Sequence, residues 1–103
     1  MQDKSIRLGD LILVIDDISL VLSGDIICRF HLSHKNEPKH SLVEMYAELS
    51  DDGELEVVCR TPLTTNRFEI VSRFLHLYEK NIIRFFREHT QGKTPYMFKV
   101  PMS

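Results

Sequence analysis

The chain has 103 residues, 43% of them apolar and 27% charged, with a formal net charge of -2. That length holds one domain with a modest core, and the apolar content is that of a folded soluble protein rather than a disordered one. The near-neutral balance excludes a strongly basic polyanion binder and a highly acidic chain, although the charge is uneven: residues 67–103 carry seven Lys or Arg against three Glu, and residues 1–66 carry six against twelve.

The polar opening MQDKSIRLGD does not read as a signal peptide, and no run approaches the roughly 20 apolar residues that cross a bilayer. A cytoplasmic setting is therefore expected, with Cys28 and Cys59 reduced and serving as small core residues inside apolar runs. Residues 1–5 read as a loose end. LILVI, residues 11–15, is apolar on both faces and suits a central strand. Asp16 and Asp17 then suit a tight turn, residues 18–22 resume a strand pattern, and Gly24 marks either a turn or a bulge.

From Ile26 the alternation is clean. Ile26, Cys28, Phe30 and Leu32 share one face, with Ile27, Arg29, His31 and Ser33 on the other. HKNEPK, residues 34–39, reads as a polar connection in which Pro38 opposes a continuous ladder. Val43, Met45, Ala47 and Leu49 line the next inward face. SDDG, residues 50–53, is the strongest hairpin signal in the chain, because Gly53 can take positive φ beside Asp52. Leu55, Val57 and Cys59 return on the inward side, and Pro62 ends that strand.

Residues 67–89 contain no Pro or Gly and predict one helix, about 34 Å long at about 1.5 Å per residue. Asn66 with Glu69 fits the two arms of a cap. Around the axis, Phe68, Val71, Phe74, Leu75, Tyr78, Ile82, Phe85, Phe86 and His89 form a core-facing stripe. Ile70 and Leu77 fall beyond one side of it and Ile83 beyond the other. These flanks are either covered within the protomer or lie in a partner interface. Arg73, Lys80, Arg84 and Arg87 form a basic ridge on the opposite face, which is either a plain solvated surface or a contact for a phosphate backbone or an acidic protein. After Gly92, residues 94–103 read as a short extended segment.

Motifs for catalysis are not found. His31, His34 and His40 flank one connection with Glu37, but their spacing matches no zinc pattern. The aspartates sit at turn positions, no nucleophile elbow surrounds Ser23 or Ser41, and the four glycines are too scattered to cradle phosphate. No catalytic, cofactor or metal residue is assigned, and the chain is not expected to be an enzyme.

The fold expected over residues 1–103 is therefore a single α+β domain. A four- to five-stranded antiparallel meander, open or curled towards a half-barrel, packs against one long C-terminal helix. The alternative is a small sandwich or barrel from which the helix projects. The function expected is a non-enzymatic protein-protein interaction module, such as an adaptor, inhibitor or dedicated chaperone. It would be homodimeric through Ile70, Leu77 and Ile83. The alternative is nucleic-acid binding through Arg73, Lys80, Arg84 and Arg87.

Overall fold

The computed structural model describes residues 4–92. Five strands form one antiparallel sheet in sequence order: β1 (Ser5–Leu8), β2 (Leu11–Leu20), β3 (Ile26–His34), β4 (Glu37–Leu49) and β5 (Leu55–Cys59). The helical part is in two pieces, α1 (Thr65–Leu77) and α2 (Glu79–Thr90). The expected α+β meander is present, with two helices in place of one. The short extended segment expected over residues 94–103 lies outside the described residues.

Side-chain rows run straight across the sheet and explain how the core is built. Leu13 pairs with Leu32 and Leu32 with Val43; the next row is Ile15, Phe30, Met45 and Cys59; then follow Ile18, Cys28, Ala47 and Val57, and Leu20, Ile26, Leu49 and Leu55. Alternation puts every member of these rows on one face, which the helices cover. The opposite face carries Arg29, His31, Glu44, Tyr46, Glu48, Glu56 and Val58 and has no second layer among the described residues.

Three sequence expectations are corrected in the strands. Ser5 belongs to β1, paired with Val14 of β2, rather than to a loose end. Asp16 and Asp17 do not turn the chain. β2 continues through them with a shift in register between Ile15 and Asp17, an inserted residue that keeps Ile15 and Ile18 both inward. Both carboxylates point out, where Asp16 accepts from His31 Nδ1 at 2.9 Å and Asp17 lies 3.5 Å from Arg29. Pro38 lies inside β4, at a place where β5 is no longer alongside. β5 reaches only Met45 to Leu49, and on the other side the register with β3 breaks, Ser41 pairing with Ser33 and Glu37 with His34, so Pro38 has no partner in either neighbouring strand.

Gly24 (φ +92°) makes a turn, with Gly24 N–H donating to Val21 O at 2.9 Å. Gly53 (φ +94°) closes the β4–β5 hairpin as its sequence implies. Cys28 and Cys59 are both free thiols. They sit in different rows with β4 between them. Two strand spacings, about 9.6 Å, exceed disulfide reach.

Candidate functional site

The helix cap is Thr64, not Asn66: its hydroxyl accepts from Arg67 N–H at 3.3 Å. α1 ends at Tyr78, whose ψ of 17° departs from helical geometry, and the chain re-enters a helix as Ile82 N–H donates to Tyr78 O at 2.9 Å. The helix is thus bent at an aromatic residue. The bend lets α2 lie against β2 and β3, burying Ile82, Phe85 and Phe86, while α1 stands farther from the strands. α1 buries only Val71 and Phe74.

This offset opens a groove along one flank of α1. One end is a hollow of about 270 Å³ between the β1–β2 turn and Ile70, Arg73, Phe74, Leu77 and Tyr78. The other, about 190 Å³, lies between Leu32, Leu42 and Val43 of the sheet and Leu63, Arg67 and Ile70. Leu11 and Ile70 belong to both, so the two hollows are contiguous. Ile70 is 58% exposed and Leu77 67%. Each hollow is small for a drug-sized ligand, but suits side chains of a protein segment laid along α1.

The rim is polar. Arg67 and Arg73 stand on the helix side. On the strand side Lys35 Nζ is 2.9 Å from Asp10, and this ammonium holds the Asp10 carboxyl below the usual carboxylate range. His34 also lines the groove, its Nδ1 accepting from Asn36 N–H at 3.1 Å. The bend itself is tied to this site. A Cβ on Gly9, whose φ is +63°, would lie 2.6 Å from the Tyr78 hydroxyl, so the β1–β2 turn and the bend pack directly together.

The residues singled out in the sequence separate into two groups. Ile70, Leu77 and Arg73 meet at the groove. Ile83 lies on α2, half-buried against the core, in a shallow hollow with Lys80, Arg84 and Arg87. The bend therefore parts Arg73 from the rest of the ridge. Lys80, Arg84 and Arg87 share one face of α2 and form no salt bridge among the described residues.

Phe68, assigned by its spacing to the core stripe, is 61% exposed, because the first turn of α1 overhangs the sheet. Groove residues that sequence reasoning missed are Leu8, Leu11, Leu42 and Leu63, all of which look like ordinary strand or loop hydrophobics.

No three His, Cys, Asp or Glu among the described residues come together as a metal set. His31 faces Asp16 on the open sheet face, while His34 lies at the groove. Cys28 is 1% exposed, and burial pushes its thiol up to about 12. No helix among the described residues is long and apolar enough to cross a membrane. Comparison with family models, with curated proteins and with solved structures gave no significant match.

Proposed function

We propose that this chain is a non-enzymatic protein-protein interaction module, an adaptor, inhibitor or dedicated chaperone. It works as a homodimer in a cytoplasmic setting and uses the groove beside α1 to hold an apolar segment of a protein partner. The observation that carries this reading is the exposure of Ile70 and Leu77 over a floor of Leu8 and Leu11. Isolated exposed hydrophobics are common, but two of them one helical heptad apart beside an apolar furrow form a surface that gains by being covered. Arg67 and Arg73 at the rim favour a partner with acidic residues flanking its apolar ones.

The test is affinity capture from the native organism with the wild type and with the double variant Ile70→Glu/Leu77→Glu. Both substitutions are at exposed sites, so the melting temperature is expected to stay close to that of the wild type. A partner of the groove drops out of the variant's captured set at least roughly tenfold, as expected for losing hot-spot side chains. Equal recovery by both proteins overturns the reading.

A second reading is nucleic-acid binding by α2, favoured by Lys80, Arg84 and Arg87, which share one face and form no salt bridge among the described residues. It requires binding to short DNA or RNA that weakens steeply with salt and is lost when Lys80 and Arg84 are reversed to Glu.

A further inference from the structure

Strand β5 offers a full row of backbone groups along one edge of the sheet. Among the described residues it pairs with β4 alone. Ser50 N–H donates to Glu54 O and Arg60 N–H to Glu44 O, each at 2.8 Å. By the two-residue period of an antiparallel ladder, the N–H and C=O groups of Glu54, Glu56, Val58 and Arg60 therefore face β4. Those of Leu55, Val57 and Cys59 face outward. Among the described residues little blunts this edge: the strand holds no Pro and no Lys, its one charge is Glu56, and its register with β4 is unbroken. β1, at the other edge, is a four-residue strand containing Arg7.

We propose that β5 is the homodimer interface, pairing antiparallel with β5 of a second copy about a two-fold axis through Val57. The two five-stranded sheets then join into one continuous sheet. In this register Val57 meets Val57 of the second copy, and Leu55 meets its Cys59. These are the residues whose backbone groups face outward, so every rung of the strand is satisfied.

The side chains agree on both faces. On the inward face, half-buried Leu55, Val57 and Cys59 gain an apolar neighbour of the same kind. On the open face Glu54 stands opposite Arg60 of the second copy, with Glu56 diagonal to it, and Val58, 60% exposed, lies opposite Glu56. The strand is acidic at its start and basic just after its end, and antiparallel pairing brings those ends together twice per dimer. Moving the axis to Glu56 stacks Glu56 on itself. Moving it to Val58 takes Leu55 off the end of the partner strand. Val57 is the centre that uses the whole strand and opposes unlike charges.

This inference deepens the homodimer part of the proposed function by naming the surface, and leaves the groove to a different partner. The test is sedimentation at micromolar concentration with wild type, Val57→Pro, Glu54→Arg, Arg60→Glu and the double swap Glu54→Arg/Arg60→Glu. The wild type is expected to be a dimer. Val57→Pro removes an N–H that faces the edge and leaves the β4 ladder intact, so it should be a folded monomer by circular dichroism.

Each single charge reversal sets like charges opposite each other at both ends and should weaken the dimer about tenfold. The double swap restores the unlike pairs and should recover most of the loss, which decides the matter even where Val57→Pro does not fold. A monomeric wild type overturns the inference, as does a dimer indifferent to all four variants. A dimer that survives these variants but is lost in Ile70→Glu/Leu77→Glu places the second copy on the groove. That result keeps the proposed function and overturns this interface.

Discussion

Replacing Phe86 by Ala is expected to lower stability by about 3–5 kcal/mol, enough to remove much of the roughly 5–15 kcal/mol that a small domain has. Phe86 is fully buried, and its ring centroid is 5.6 Å from that of Phe30 at an interplanar angle of 57°. Phe30 stands in the middle of the Ile15–Phe30–Met45 row, so the pair fastens α2 to the centre of the sheet. Truncation loses the transfer free energy of a whole ring and leaves a cavity that strands on one side and a helix on the other cannot close. Phe68→Ala is the control. Its ring is mostly in water already, and the change should stay within about 0.5 kcal/mol. Urea denaturation of the two variants checks the contrast, which should appear as a large fall in midpoint for Phe86→Ala alone.

Alkaline pH should destabilise the protein through Cys28. Burial raises its folded pKa from 9.0 to about 12. Above pH 9 the unfolded chain releases this proton while the folded protein keeps it, so the unfolded state gains. The contribution is fully present below pH 9 and is lost as pH rises towards 12. Three pK units correspond to about 4 kcal/mol across that window.

Tyr46 acts in the same direction above pH 10, because its hydroxyl donates to Glu48 at 3.0 Å and its pKa is raised. Denaturation midpoints measured from pH 8 to pH 12 should therefore fall. The slope should become shallower in Cys28→Ala, with Tyr46→Phe removing the smaller remainder. In the native protein at neutral pH Cys28 should also resist alkylation, and Cys59, which is only half-buried, should react first.

The strands were legible in the sequence wherever one face is wet. Ile26 to Leu32 and Val43 to Leu49 alternate cleanly, and every inward residue named from that pattern is buried. SDDG was legible because Gly53 supplies a backbone conformation that other residues avoid. Asp16 and Asp17 misled because two adjacent aspartates are turn residues by composition, and only cross-strand pairing shows that the ladder absorbs an extra one. Pro38 misled because its cost depends on whether a neighbouring strand pairs with it, and here β5 is too short to reach it and the register with β3 breaks around it.

The bend at Tyr78 had no local signal, neither Pro nor Gly. The residue at the bend packs against Gly9, nearly seventy positions earlier in the sequence. Helical spacing put Ile70 and Leu77 beyond one side of the buried stripe, where both are exposed, but it put Arg73 on an opposite ridge rather than beside them. The strand-end leucines that form the floor of the site were not legible, because an inward leucine beneath a helix and an inward leucine beyond the helix look alike in one dimension.

The inserted residue in β2 has a consequence for how this sequence tolerates change in length. Losing one residue from a strand ordinarily inverts every side chain beyond it and is among the most damaging lesions a sheet can suffer. Here the chain with Asp16 deleted reads Leu11, Leu13, Ile15, Ile18 and Leu20 in unbroken alternation, the same five residues that face the core now. A single-codon deletion at this point should therefore fold, giving up the His31 ion pair and the local kink, whereas the same deletion at Leu13 should not. Thermal melts of the two deletion variants would show it. Position 16 is a place where the reading frame of the sheet can slip by one without losing its meaning.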